Sequence, residues 1–271
     1  MTKYEMVMSL VSKEELELMY EETPNLRLLS EKFSVSQQTM SRVMKHYGIE
    51  IKKPIGNKKH HFDETFFSVI DTEEKAYWLG FIMADGCVYR GSGETYRLQI
   101  NLKYEDLPHL NKFQKSLGSD YKIQIKKVKT YQVAQLKINS TNLCKDLIRL
   151  GVIPKKSLVC EMPLIDEKLV RHFIRGYFDG DGCVRLSVGE KICRSFSIAG
   201  GEPMLKSIND RLRINIRNLN RGNELFSVDT SGKEDLLRIY DYLYQDATVY
   251  LQRKKHIYDV IKYLLESPLM V

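Results

Sequence analysis

The chain has little of what would place it in a membrane or in an oxidising compartment. It has five cysteines, at 87, 144, 160, 183 and 193 of 271 residues. None forms a Cys-x-x-Cys pair, and an odd count argues against a disulfide framework. No apolar run approaches the roughly 20 residues needed to span a bilayer. The opening stretch, Met1 to Leu10, carries no secretory pattern. A cytoplasmic protein without membrane attachment is therefore expected. Acidic residues are also in deficit, with 35 Asp and Glu against 42 Lys and Arg, giving a net charge of +7 and a pI of about 9.0. Such a balance favours an anionic partner, and nucleic acid leads. The length allows one or two domains with proper cores.

What the chain does have is a repeat. Ala76-Tyr77-Trp78-Leu79-Gly80-Phe81-Ile82-Met83-Ala84-Asp85-Gly86-Cys87-Val88 is matched by Phe173-Ile174-Arg175-Gly176-Tyr177-Phe178-Asp179-Gly180-Asp181-Gly182-Cys183-Val184. Each is an apolar helical run closed by Asp-Gly-Cys-Val, and the two closing aspartates are 96 residues apart. That separation is about one small domain, so the pattern predicts a two-fold pseudosymmetric protein. Gly80 with Ala84, and Gly176 with Gly180, are spaced i, i+4 and put small side chains on one helix face. Glycine inside a helix costs roughly 1 kcal/mol relative to alanine, and close helix–helix packing is the natural compensation. If the repeats pack through these faces, Asp85 and Asp181 emerge side by side at two helix C-termini. Two carboxylates at the negative ends of two helix dipoles call for a cation, and a hard divalent ion such as Mg²⁺ fits an oxygen donor set. A calcium loop beginning at Asp179 is excluded, because its sixth position is Val184 where glycine is needed. Cys87 and Cys183 are expected as small core residues.

These paired segments resemble the LAGLIDADG signature of homing endonucleases in its single-chain, two-motif form. The resemblance extends through Leu136-Lys137-Ile138-Asn139-Ser140, Leu147-Ile148-Arg149-Leu150-Gly151-Val152, Lys155-Lys156-Ser157 and Leu251-Gln252-Arg253-Lys254-Lys255, and covers about residues 62–265. Met83 departs from it, standing where the signature often has a first acid and where the second copy has Asp179. The resemblance implies a site-specific, double-strand DNA endonuclease in which Asp85 and Asp181 hold Mg²⁺. Position matching adds Lys156 and Lys254 as the basic residues that assist each centre, with Lys155, Arg253 and Lys255 as close neighbours. It also implies a free-standing monomer without an obligate protein partner, acting on duplex DNA. A DNA-binding regulator without cleavage, an intron RNA maturase and the nuclease insert of an intein stay open. The presence of both acids speaks against the regulator, and a chain running from Met1 to Val271 without the intein's terminal residues speaks against the insert.

After each aspartate the pattern changes to strands. In Tyr96 to Lys103, Leu98, Ile100 and Leu102 face one way, and Arg97, Gln99, Asn101 and Lys103 the other. A turn at Gly91-Ser92-Gly93, a helix at 107–117, a hairpin at 121–129 and 131–139, and a helix at 141–150 complete the first repeat. The second copies it with strands at 183–188 and 194–198, a helix at 203–212, strands at 213–218 and 225–229, and a helix at 234–244. A last helix spans 254–265. The fold class expected is α+β: two αββαββα LAGLIDADG repeats, at 62–158 and 159–271, forming a DNA-binding saddle. The DNA-binding candidates are Arg97, Gln99, Asn101 and Lys103 in the first repeat and Arg185, Arg213, Asn215 and Arg217 in the second. Amides and cations on an open sheet face suit base edges and phosphates.

Ahead of the repeats, residues 1–51 read as helical. Ser12 with Glu15 forms a capping box, Ser36 can cap a later helix, and Gly48 stops it. Leu28 to Val43 resembles a helix-turn-helix DNA reader, with Gln37, Gln38, Ser41, Arg42 and Lys45 projecting from the second helix. Residues 25–61 hold eight Lys/Arg and two Asp/Glu, which favours DNA contact over packing alone. Residues 52–61 read as a basic linker.

Overall fold

The computed structural model describes residues 2–51, 60–153, 159–189, 191–218 and 225–267. They fall into two units that divide between Lys59 and His60.

The first unit contains four helices among its described residues: α1 (Lys3–Leu10), α2 (Lys13–Glu22), α3 (Leu26–Lys32) and α4 (Gln37–His46). Polar residues cap all four N-termini. The Thr2–Glu5 and Ser12–Glu15 capping boxes are both formed, Asn25 Oδ1 accepts from the Arg27 and Leu28 amides, and Ser36 Oγ accepts from Thr39 N. Val7, Leu16, Tyr20, Leu29, Met40, Val43 and Met44 make a separate small core. The chain turns at Ser34 and Gly48, both with positive φ. Helix α1 was not singled out from the sequence, although Thr2-x-x-Glu5 is the same signal as Ser12-x-x-Glu15.

In the second unit the order is α5 (Glu73–Asp85), β1 (Gly86–Arg90), β2 (Tyr96–Lys103), α6 (Leu107–Ser116), β3 (Gln124–Val128), β4 (Tyr131–Asn139) and α7 (Thr141–Arg149). It repeats as α8 (Glu167–Asp181), β5 (Gly182–Val188), β6 (Ile192–Gly201), α9 (Glu202–Leu212), β7 (Asn215–Asn218), β8 (Leu225–Thr230) and α10 (Lys233–Tyr244), with α11 (Gln252–Glu266) added. The antiparallel sheets are β1-β2-β4-β3 and β5-β6-β8-β7. The inward residues of both sheets, together with α5 and α8, form one continuous core.

The expected helix pairing is present and very close. A Cβ on Gly80 would lie 2.0 Å from the Phe173 carbonyl oxygen, and one on Gly176 would lie 2.0 Å from that of Tyr77. At Gly180 a Cβ would stand 2.3 Å from Ala84 Cβ. Any side chain at these positions drives the helices apart.

Four sequence expectations change. His60 and His61 belong to the second unit rather than to the linker, whose residues 52–59 lie outside the described residues. His61 N donates to Asp120 Oδ1 at 3.0 Å, and the His60 ring stacks on Tyr121 at 4.0 Å. For the same reason β3 begins at Gln124 rather than at Tyr121, whose hydroxyl pairs with the Asn139 backbone at 3.2 Å. Arg213 is a left-handed helix cap (φ 51°) rather than a strand residue. Cys87 and Cys183 are half-buried and not in the core. Each sits one residue before a core valine, and strand alternation turns it to the opposite face.

Gly176→Ala is expected to destabilise the second unit by roughly 3 kcal/mol or more, at the upper end of overpacking costs. Urea denaturation followed by tryptophan fluorescence measures this, since Trp78 lies in the same helix pair; an unchanged midpoint would contradict the close packing.

Candidate active site

Asp85 and Asp181 are the last residues of α5 and α8, and both are exposed. The seam brings the two helix ends together: a Cβ on Gly180 would lie 3.5 Å from Asp85 Cγ. The following glycines, Gly86 and Gly182, are not left-handed caps, as their φ values are −83° and −89°. They are required by space. A Cβ on Gly86 would meet Ile82 Cγ2 at 2.6 Å, and one on Gly182 would meet Phe178 Cδ2 at 2.1 Å. Each glycine lets its strand leave tightly beneath its helix.

Two carboxylates at two helix ends call for a cation, and the chain itself supplies one. Lys254 is 4% exposed, and its Nζ donates to the carbonyls of Phe178 (2.8 Å), Asp179 (2.7 Å), Gly180 (3.3 Å) and Gly182 (2.6 Å). It therefore closes the C-terminal end of α8, the favourable place for a positive charge. Desolvation holds its amine below the usual lysine range, opposed by the charges of Asp179 and Asp85. Lys156 lies outside the described residues.

Behind the carboxylates is a buried polar layer that the sequence did not reveal. Asp179 is 1% exposed; its Oδ2 accepts from Tyr77 OH at 2.6 Å and from Leu251 N at 2.7 Å. Burial pushes its carboxyl above the usual range. The Tyr77 hydroxyl lies 2.9 Å from His109 Nε2. Because that hydroxyl donates to Asp179, its oxygen accepts from His109, which assigns the proton of the neutral ring to Nε2. Higher in the helices, fully buried Arg175 donates to Glu73 Oε1 (2.6 Å), Val249 O (2.9 Å), Leu243 O and His172 Nδ1 (both 2.8 Å). Arg253 holds Asp106 with both Nε and Nη2. These contacts fasten the α10–α11 connection and the start of α11 across the helix pair. Isolated polar letters in an apolar run, namely Arg175, Asp179 and Tyr77, were the available signal.

The open faces of the sheets follow the predicted alternation, and the register lines their side chains into rows. In the first sheet Cys87, Gln99 and Lys137 share a row, as do Asn101, Gln135 and Gln124, and Lys103, Val133 and Lys126. Arg97 lies over the Tyr89 ring at 5.6 Å. Desolvation, with the Lys126 and Arg97 charges, holds the Lys137 amine below its ordinary value. Thus Lys126, Lys137, Gln124 and Gln135 join the candidates, and the alternation of Ala134, Leu136 and Ile138 would have found the β4 pair. In the second sheet Cys183, Ser197, Asp229 and Asn215 form a row. Arg185 is exposed, and Arg217 is paired with Asp229 at 2.9 Å. In the first unit Gln37, Gln38, Arg42 and Lys45 are exposed on α4, and Ser41 is half-buried.

No family profile and no curated protein sequence matches the chain. Solved structures do. The homing endonuclease I-GzeII in complex with its DNA target aligns with a TM-score of 0.53 at 14% identity, over 72% of this chain and 92% of that one. The meganuclease I-SmaMI bound to uncleaveable DNA gives 0.51 at 12% identity, over 72% and 92%. The meganuclease I-AabMI bound to uncleaved DNA gives 0.50 at 16% identity, again over 72% and 92%. All three are LAGLIDADG proteins or their meganuclease relatives. At this identity the likeness fixes the fold: the chain contains a single-chain, two-repeat LAGLIDADG fold.

The buried histidine has a pH consequence. Desolvation, and next the charges of Lys112, Arg253 and Lys254, lower His109 from 6.5 to about 3. Its Nδ1 is buried with no hydrogen-bond partner, so protonation is resisted in the folded state. The folded pKa lies below the unfolded one. This contribution to stability is therefore complete above pH 6.5 and is lost progressively as pH falls from there toward about 3. Urea midpoints measured from pH 7 to pH 4 should fall, and less steeply in His109→Gln; parallel curves for the two proteins would contradict the assignment.

Proposed function

We propose that the protein is a site-specific double-strand DNA endonuclease that uses divalent metal, with Mg²⁺ as the expected ion. The observation that carries this reading is the pair of exposed aspartates, Asp85 and Asp181, at the abutting ends of α5 and α8 in a LAGLIDADG fold. The donor chemistry suits a hard divalent cation, since the residues at the seam offer carboxylate oxygens beside the carbonyl ends of two helices. A bound ion of this kind supplies Lewis-acid activation of water and neutralises charge on the phosphate and leaving oxygen. The protein's own groups do the rest. Asp85 and Asp181 hold the ion at the seam, and the close glycine packing fixes their separation. Lys254 places a positive charge at the same helix end, suited to a developing phosphate charge. Lys156 is its counterpart in the first repeat.

The open sheet faces then hold the duplex. Arg97, Gln99, Asn101, Lys103, Lys126 and Lys137 in the first sheet, and Arg185, Asn215 and Arg217 in the second, present groups suited to base edges and phosphates. Arg213, at its helix cap, is suited to a phosphate contact. Because both repeats lie in one chain, a monomer supplies both cutting centres. The first unit adds a second DNA contact through α4 and performs no chemistry.

Two tests follow. Purified protein is incubated with DNA from its own genomic neighbourhood, with and without Mg²⁺. Asp85→Asn and Asp181→Asn should each abolish double-strand cutting while binding persists, and full metal-dependent cutting by the double variant would refute the reading. In the full chain, Arg42→Ala with Lys45→Ala should weaken binding and reduce its salt dependence, since fewer counterions are released. Cleavage should persist at higher protein concentration. An unchanged footprint and salt slope would reduce α4 to a packing element.

A further inference from the structure

The amides on the open face of the first sheet are not equivalent. Asn101 in β2 stands opposite Gln135 in β4, which stands opposite Gln124 in β3. Asn101 and Gln124 are exposed, whereas Gln135 is only 7% exposed. Gln135 Nε2 donates to Asn101 Oδ1 at 2.7 Å. Two amides can also bond the other way round, and the surroundings decide between the two directions. As they stand, Gln135 Oε1 is the buried atom without a partner among the described residues. Turning both amides over would let Asn101 donate to Gln135, but would put the N–H groups of Gln135 in that buried place. An under-satisfied buried carbonyl is tolerated better than an orphaned buried N–H, which favours the observed direction. The consequence falls on Asn101. A free asparagine offers both an acceptor and donors, the pattern that matches adenine N6 and N7. With Oδ1 tied to β4, the free end of Asn101 is Nδ2, a donor.

We propose that Gln135 is a positioning residue that sets the hydrogen-bonding polarity of Asn101, and through it which bases this row of the sheet accepts. This rests on the endonuclease reading and deepens it. In the major groove guanine O6 and thymine O4 are acceptors, whereas adenine N6 and cytosine N4 are donors. A donor end therefore accepts the keto bases, guanine and thymine, on the strand it faces. It meets a donor on adenine or cytosine. Gln135 is buried and acts only through the exposed asparagine, so changing Gln135 changes the base preference at the Asn101 position.

The test is competitive binding of the full chain, without Mg²⁺, to the target duplex recovered in the assay above and to duplexes that each change one base pair of it. Asn101→Ala identifies the contacted position as the one whose preference it flattens. There the unaltered protein should favour guanine and thymine on one strand over adenine and cytosine by about tenfold. Gln135→Met keeps the volume but frees the Asn101 amide, and should bring that ratio to within about threefold, with adenine gaining most. Gln135→Glu offers only acceptors, so Asn101 must donate to it and present Oδ1; the preference should invert to adenine and cytosine on the same strand. Each result is a ratio among duplexes for one protein, so lost stability or added charge, which acts on all duplexes alike, leaves it unmoved. Glutamate can itself accept from cytosine N4, so Gln135→Glu is repeated with Asn101→Ala, where no preference should remain. A purine or other preference in the unaltered protein, an unchanged ratio in the Gln135 variants, or an inversion that survives Asn101→Ala would overturn the proposal. If no duplex is selected, or if Asp85→Asn and Asp181→Asn cut normally, the endonuclease reading falls and takes this inference with it. If those variants are inactive while Asn101→Ala flattens no position, only this inference falls.

Discussion

The closeness of α5 to α8 is the constraint on which the second unit depends. A single Cβ on Gly80 or Gly176 would sit 2.0 Å from a carbonyl oxygen of the other helix. Glycine in a helix interior is unfavourable by roughly 1 kcal/mol, so these positions lower helix propensity in favour of contact. Contact at this distance does more than hold two repeats together. It brings two helix ends, and the aspartates that terminate them, to one place. Within each helix, Ile82 and Phe178 in turn leave no room for a side chain at Gly86 and Gly182, so that each first strand leaves directly beneath its carboxylate. Backbone sterics thus position the acids, and their charges are accommodated afterwards.

That accommodation is visible at the end of α8. Lys254 reaches the end of α8 and binds four carbonyls there, and Asp179, Tyr77 and His109 stand behind it. Arg175 is fully buried and bound to Glu73, Val249, Leu243 and His172. Such groups are poor sources of net stability, because their desolvation offsets much of their attraction. Removing one partner is different, since it strands a buried charge at a cost of about 3–5 kcal/mol. The layer accordingly acts as a set of directional constraints. It admits one placement of the α10–α11 connection, and with it one placement of Lys254.

Most of the second unit was legible from the sequence because local and global signals agreed there. The repeat, the period-two strands, the i, i+4 glycines and the closing Asp-Gly all led to the same αββαββα architecture. Cys87 and Cys183 misled because residue type was weighed above strand phase: cysteine is commonly buried, but each sits one position out of register with a core valine. Arg213 misled because a strand pattern was extended across a helix cap whose αL geometry has no sequence signature in arginine. The polar layer is legible only as isolated polar letters in apolar runs, without its partners. Tyr77 in α5 and Arg175 and Asp179 in α8 stand in apparently apolar helices, and their partners lie 32 to 102 residues away in sequence. No periodicity records such pairings. In the first unit Ser12-x-x-Glu15 and Ser36 make the caps of α2 and α4 legible, and Thr2-x-x-Glu5 carries the same signal for α1.

The same contrast appears on the surface. The first sheet gathers Arg97, Lys103, Lys126 and Lys137 on its open face, close enough that Lys126 and Arg97 depress the Lys137 amine. Like charges held together are unfavourable until an anion arrives, so this face is electrostatically incomplete without a partner. The second sheet presents Ser197, Cys183, Asn215 and the exposed Arg185, and its Arg217 is answered internally by Asp229. Sequence-independent attraction to phosphate depends on uncompensated cations, whereas hydroxyls and amides act only at hydrogen-bonding distance. Among the described residues the first face therefore carries more cations without an acidic partner than the second. Among the described residues the dyad holds in helix order through α10, in sheet order, in the glycine seam and in the position of Asp85 and Asp181, while the side chains on the two open faces differ.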